Sequence, residues 1–375
     1  MRRRTVIQTA GAAGILGLAG CLGDDAEPAD DSSDDTTDDG ADDANGDTVG
    51  DVDDVPEVSW VMNPAEEAID IELQYRPLFE YLESEAEVEI VGVQTADYSS
   101  TVLEIQRGSG DFADTSPGAV AQIPGDIDVV GMRLAFGSEL YFSLITTTPD
   151  SGVESLADLE GETVATAAPT SVSGTLVPML MLSQAGLDTG GAPDGNPNDF
   201  DWRPSDHFTA AQQVMENPDI AAAGTGAFST AAHVPPEQFE EMSQDFVDIS
   251  VEYEDAGTRE PQLDLLAVSD PIPRAPIVAR ADWDEPIRYE LEELLLEAPP
   301  EVFEHDLHEL AEDLGMDPAI LDKDEDERTD EEQGDLEFLE DHELWFNGIE
   351  PATHEDYAPI VDLLEELGLE PEELD

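Results

Sequence analysis

From residue 58 onward, short apolar or β-branched runs alternate with amphipathic stretches. That alternation confines the chain to an α/β architecture with mostly parallel sheets. Residues 58–62 read as a strand, 75–82 as an amphipathic helix and 88–93 as a second strand. A helix opens at Tyr98 with Asp97 as its N-cap and runs to Arg107. Residues 111–114 form a short strand, Ser116-Pro117-Gly118 starts another helix, and 141–147 return to strand. A second set follows Pro149: strands at 162–166, 219–224 and 263–268, with a helix opening at 205–209 and running to Glu216. Pro271, Pro273 and Pro276 then pin an extended crossing. Helices dominate from Glu285, and 323–335 read as an exposed acidic loop.

The N-terminus carries targeting information. Arg2, Arg3 and Arg4 precede a short apolar run, and Leu18-Ala19-Gly20-Cys21 reads as a lipobox. Residues 1–21 are therefore expected to be a twin-arginine lipoprotein signal peptide, with cleavage before Cys21 exposing it for lipidation. Cys21 is the only cysteine, which excludes intrachain disulfides and argues against a cysteine metal site. Residues 22–56 are almost all Asp, Ser, Thr, Ala and Gly, a composition expected of a disordered tether. About 320 residues remain, enough for two lobes. The expected division is 57–150 for the first part of lobe 1, 151–268 for lobe 2, and 269–375 for a return to lobe 1 with C-terminal helices.

The chain holds 92 Asp plus Glu against 13 Lys plus Arg, for a formal charge of −79, yet 40% of its residues are hydrophobic. An acidic, lysine-poor chain with a real core fits life in near-saturated salt, where self-repulsion is screened. The charge argues against a nucleic-acid partner. It leaves an anionic ligand open, because screening suppresses long-range repulsion while close contacts in a cleft persist.

The stretch 168–178 concentrates the chemistry. Thr170, Ser171, Ser173 and Thr175 crowd around Gly174, between a strand and an apolar helix. A helix opening there aims unpaired backbone N–H groups and its positive dipole end at whatever lies in front, and the hydroxyls add donors. The alternative is an ordinary N-cap in a Ser/Thr-rich turn. Other polar helix starts lie near Tyr98, at Ser116 and Gly118, and at His207. Ligands of open α/β sheets bind beyond the carboxyl ends of the strands, where such helix starts collect. At a helix start the pKa of His207 should tend downward, leaving a neutral donor.

Together these stretches resemble the phosphonate-binding, substrate-binding components of ABC importers. The resemblance rests on 75–78, Asp97-Tyr98, 137–141, Pro169 to Pro178, His207 with its helix, and the 269–278 crossing. It implies a two-lobe periplasmic-binding-protein type II fold with a hinge and an interlobe cleft. It implies an extracytoplasmic protein that captures a phosphonate, phosphite or phosphate-like oxyanion for a permease and its ATPase, without a cofactor. Ser171, Val172, Ser173 and Gly174 would hold the phosphoryl oxygens, Tyr98 and Tyr141 would reach across from the other lobe, and His207 would donate. Ser116, Gly118, Thr170 and Thr175 are secondary candidates. Members that take aminoalkylphosphonates hold the amine with acidic side chains, and the matching positions here are Gly226 and Ala275. That departure favours phosphate, phosphite or a simple alkylphosphonate.

Other readings are weaker. An esterase-like enzyme would want a Gly-x-Ser-x-Gly elbow, which is missing around Ser171 and Ser173. A transferrin-like ferric iron protein could use Tyr98, Tyr141 and His207, and a sensory receptor could bind the same oxyanion. His305 and His308 share a helix face but want a third ligand, so no metal site is assigned. Arg274 is read as a surface ion-pair residue. Trp345 and Tyr357 are read as packing residues. The expected form is a monomer, lipid-anchored on the outer face of the cytoplasmic membrane.

Overall fold

The computed structural model describes residues 55–62, 70–96, 98–135, 137–323 and 328–369. The expected signal peptide, Cys21, most of the expected tether and Asp97 lie outside these residues. Thirteen strands are formed among the described residues. They are β1 (Glu57–Met62), β2 (Glu89–Gln94), β3 (Phe112–Asp114), β4 (Ile127–Leu134), β5 (Leu140–Tyr141), β6 (Ser143–Thr147) and β7 (Thr163–Thr166). The rest are β8 (Asp201–Pro204), β9 (Ala222–Gly226), β10 (Asp264–Val268), β11 (Ile272–Pro273), β12 (Pro276–Arg280) and β13 (Gly348–Pro351).

Two sheets carry the fold. One has the order β13-β4-β12-β3-β1-β2, the other β10-β6-β9-β7-β8. They share one plan. In the first, β1 runs parallel to β2 and β3, and β12 is inserted antiparallel between β3 and β4. In the second, β7 runs parallel to β8 and β9, and β6 is inserted antiparallel between β9 and β10. Each inserted strand is the one that has just crossed from the other sheet. This is the periplasmic-binding-protein type II arrangement.

The crossings themselves pair. β5 and β11 form a two-stranded antiparallel ribbon with Tyr141 opposite Ile272 and Leu140 opposite Pro273. Ser143 N–H donates to Ser269 Oγ at 2.9 Å, and Ser269 N–H returns a bond to Ser143 O at 3.0 Å. The prolines at 271, 273 and 276 lack N–H donors and fix φ, which suits a short, stiff hinge. The boundary expected at residue 150 is corrected by this pairing. β6 already belongs to the second sheet, so the first crossing precedes Ser143.

Each sheet is buried by amphipathic helices. The helix Ile71–Ala86, capped by Asp70 accepting from Leu73 N–H, buries Ile71, Tyr75, Leu78, Phe79 and Leu82. Their spacing is that of one helix face. They meet Trp60 of β1, which stacks on Phe112 of β3 at 5.1 Å between ring centroids. The C-terminal helix Ala358–Leu367 bridges the lobes. Its Ile360, Leu363 and Leu364 share an apolar cluster with Val120 of the first lobe and Leu176 of the second. Among the described residues no helix is long and apolar enough to cross a membrane.

Two further expectations are corrected. The acidic stretch read as a loop ends inside a helix, Asp330–Asp341, whose Leu336 and Leu339, just past that stretch, are buried. Arg274 is not a surface cation. It pairs with Glu252 at 2.7 Å, and both side chains are less than a tenth exposed. A second buried pair, Arg133 with Asp114, sits at the carboxyl edge of the first sheet. Arg133 also donates to Tyr75 Oη at 3.1 Å, Thr115 O at 3.1 Å and Ala275 O at 3.2 Å. Removing Arg133 would strand a buried carboxylate, which costs about 3–5 kcal/mol. Thermal unfolding of Arg133→Met should show a loss of that order. Arg76→Met, which breaks only the half-exposed pair with Asp313, should cost within about 1 kcal/mol.

Candidate functional site

Six loops converge where the carboxyl ends of the two sheets face each other. In the second lobe, β7 leads to Ser171, β8 to His207, and β9 ends at Gly226. In the first lobe, β2 leads to Tyr98, β3 to Ser116, and β4 to Tyr141 on the hinge ribbon.

The loop after β7 opens a helical segment with one π turn, Val172–Leu176, that continues as the α-helix Val177–Gln184. Ser171 caps it, its Oγ accepting from Gly174 N–H at 3.2 Å. The N–H groups of Val172 and Ser173 make no hydrogen bond among the described residues, the normal state of a helix's first donors. Gly174 is required by crowding. A Cβ there would lie 2.2 Å from Ala167 Cβ, 2.6 Å from His207 Cε1 and 3.0 Å from Ser171 Oγ.

His207 starts its helix behind Asp206, whose carboxylate accepts from Thr209 N–H at 2.7 Å. Gly226 N–H donates to His207 Nδ1 at 3.0 Å. Nδ1 is therefore the acceptor nitrogen, and the ring proton belongs on Nε2, 3.1 Å from Ser171 Oγ. Ser171 Oγ thus receives two bonds, from Gly174 N–H and His207 Nε2–H, and its own proton is left to point elsewhere. The same tautomer rules His207 out as a base for Ser171, since the nitrogen facing the serine already carries hydrogen. Burial lowers the His207 pKa to about 4, with Asp206 opposing, so the ring is neutral at physiological pH.

The hydroxyl of Tyr141 lies near the Ser173 side chain, which opposes the rise that burial imposes on its pKa. Its ring lies under the Arg274 guanidinium at 5.4 Å. Burial raises the Tyr141 pKa, and burial together with nearby Tyr141 pushes Tyr98 up to about 12. Both phenols are neutral donors, which does not favour a tyrosinate iron site. Among the described residues no group of three or more His, Cys, Asp or Glu is placed to hold a metal ion.

The secondary candidates separate. Ser116, Gly118 and Thr170 line one crevice with Tyr98, so the first-lobe helix start does face the second lobe. Ser116 Oγ caps its helix by accepting from Gly118 N–H at 3.1 Å. Thr175 is different. It is fully buried, and its hydroxyl donates to Ala167 O and Ala168 O at 3.0 and 2.8 Å, so its proton shapes the loop. Val172 offers its backbone N–H while its side chain packs toward the first lobe, 3.7 Å from the Cβ position of Gly118.

Three features were missed in the sequence. Arg133 and Asp114 form the buried pair near Tyr98, and Thr115 Oγ1 is buried with no hydrogen-bond partner among the described residues. Phe228, half exposed, lies against Tyr141 and His207, with ring centroids 6.4 and 4.9 Å away. Only the scarcity of cations could have drawn attention to Arg133. Both arginines near the site are neutralised by buried carboxylates, so hydrogen-bond donors dominate it.

Residues 60–357 match the sequence model of a family described as the periplasmic substrate-binding protein of phosphonate ABC transporters. The chain belongs to that family. It is the extracytoplasmic substrate-binding component of an ABC transporter, and it is not an enzyme. Solved structures share its fold at low identity. A phosphonate-transporter binding protein from Pseudomonas aeruginosa is 17% identical, with TM-score 0.55, over 84% of this chain and 87% of that one. A Xanthomonas citri protein bound to ATP is 16% identical, with TM-score 0.54, over 85% and 99%. PhnD1 of Prochlorococcus marinus in complex with methylphosphonate is 13% identical, with TM-score 0.53, over 83% and 98%.

Two outcomes follow for this binding protein. Gly174→Ala should destabilise it by about 1–3 kcal/mol, read by thermal unfolding, because the added methyl overlaps Ala167 and the His207 ring. The His207 shift also has a pH signature. Its folded pKa of about 4 lies below the ordinary 6.5, so the unfolded chain takes up a proton that the folded chain refuses. Stability therefore falls as pH drops through that window. His207→Gln should flatten that slope relative to the unsubstituted protein.

Proposed function

We propose that the two lobes close on a phosphonate, phosphite or phosphate-like oxyanion and hold it with neutral donors. The observation that carries this reading is the donor set around Ser171. The unpaired N–H groups of Val172 and Ser173 lie beside a serine hydroxyl whose oxygen is already occupied by His207 and Gly174. Three donors from one turn suit the three oxygens of a phosphoryl group, and a helix start favours negative charge. Tyr141, which lies near Ser173, and Tyr98 supply phenolic donors from the hinge ribbon and the first lobe. Ser116, Gly118 and Thr170 form the rim on which the lobes meet.

The same reading covers delivery. The loaded, closed form is presented to a permease with its ATPase. Export by the twin-arginine route and a lipid on Cys21 would hold a monomer at the outer face of the membrane. Residues 22–56 would be its tether, and the acidic surface would be an adaptation to high salt.

Calorimetric titration in multimolar salt tests the ligand class. Methylphosphonate, phosphite or phosphate should bind, and Ser171→Ala should weaken the best of them about tenfold or more, the loss of a charge-assisted hydrogen bond. Affinity should change little when the salt is raised further, since the donors are neutral and the contacts short. Tight binding of 2-aminoethylphosphonate with no binding of phosphate or phosphite would overturn the assignment.

A further inference from the structure

Phe228 is one of few large apolar side chains left half exposed, at 51%, and it stands beside the binding loops. Its position is held from three sides. It stacks on Tyr141 at an interplanar angle of 25° and tilts against the His207 ring at 59°. Its ring also occupies the space that a side chain at residue 226 would need. A Cβ on Gly226 would lie 2.3 Å from Phe228 Cε1 and 2.7 Å from Cζ. The glycine is thus what allows the ring to lie over the end of β9, next to Tyr141 and to His207, which bonds Ser171.

Three carboxylates tied to residues around the site are engaged. Glu252 is held by Arg274 and accepts from Ser250 Oγ at 2.7 Å. Asp206 is held by the N–H and hydroxyl of Thr209. Asp114 is held by Arg133 and Tyr75. An ammonium group entering here would lose water without gaining a free counter-ion, whereas an alkyl group would gain contact with an exposed ring.

We infer that Phe228 is the specificity-determining residue of the site: its ring contacts the carbon substituent on phosphorus and selects small alkylphosphonates over phosphate and over amine-bearing phosphonates. The inference rests on the oxyanion reading above and refines it. Phosphate presents a fourth oxygen to an apolar face and leaves that oxygen without a donor. A methyl or ethyl group at the same place buries apolar surface instead.

The test is a titration matrix on the full chain in high salt. The ligands are methylphosphonate, ethylphosphonate, phosphate and 2-aminoethylphosphonate. The proteins are the unsubstituted chain, Phe228→Ala and Phe228→Leu, each checked for unchanged thermal unfolding without ligand. The unsubstituted chain should prefer the alkylphosphonates over phosphate by about tenfold or more, the usual worth of one apolar group in a pocket. Phe228→Ala should lose most of that preference while phosphate affinity stays within about threefold, and Phe228→Leu should keep it. A preference that survives in Phe228→Ala, an equal fall for every ligand, or tighter binding of phosphate or of the aminophosphonate by the unsubstituted chain would each overturn the role of Phe228 while leaving the oxyanion site standing. Failure of every ligand to bind the unsubstituted chain would overturn both readings.

Discussion

The hydrogen bond from Gly226 N–H to His207 Nδ1 decides the character of the whole binding surface. It settles which ring nitrogen bears the proton. That proton faces Ser171, which then receives two bonds and keeps its own hydrogen to give away. Reverse the tautomer and the serine would donate to the imidazole, becoming an activated nucleophile rather than a ligand donor. A backbone amide at the end of a β-strand thus fixes the direction in which this serine can donate. Burial reinforces the choice, because a ring held neutral can accept at Nδ1 and a protonated one cannot.

Neutrality is the recurring theme of the interior. A chain with a formal charge of −79 could have drawn an anion in with bare cations, but it has few to use. The two near the site, Arg133 and Arg274, are spent on Asp114 and Glu252. Burial lowers the Arg133 pKa, and Asp114 with Tyr75 more than reverses this, so the guanidinium stays charged and fixed. Its bonds run to Tyr75, Thr115 and Ala275, linking the first sheet to the returning hinge strand. Tyr357 completes the tie by donating to Arg274 O at 2.9 Å. These charges act as rivets that position neutral donors.

Local signals carried much of this into view before the structure did. The hydroxyl loop, the capping residues and the proline-rich crossing are written in consecutive residues, and the structure puts Tyr98, Tyr141, Ser171, Ser173 and His207 on neighbouring loops. What escaped is what only tertiary pairing creates. β13 carries Glu350 and Pro351 in the region read as dominated by helices, yet it is an edge strand paired with β4, where such residues are tolerated. The helix Asp330–Asp341 hides its two buried leucines in an acidic stretch. Thr175 looks like its hydroxyl neighbours, but its proton is committed to the loop by a geometry that no spacing announces. Phe228 gains its meaning from Gly226 and His207, partners that a linear reading does not bring together.

Closure has its own physical logic in so acidic a molecule. Two lobes of the same sign repel at long range, but at molar salt the Debye length is about 3 Å, shorter than any separation an open cleft would present. Only contacts at van der Waals or hydrogen-bond distance can then distinguish open from closed. The structure supplies such contacts as Val172 against the Gly118 helix start and as the apolar cluster under the C-terminal helix, which touches both lobes. Each strand of the β5–β11 ribbon is two residues long, a short proline-stiffened crossing that Ser143 and Ser269 hold in register. At high salt the long-range field is removed, and short contacts of this kind are what is left to set the balance between open and closed lobes.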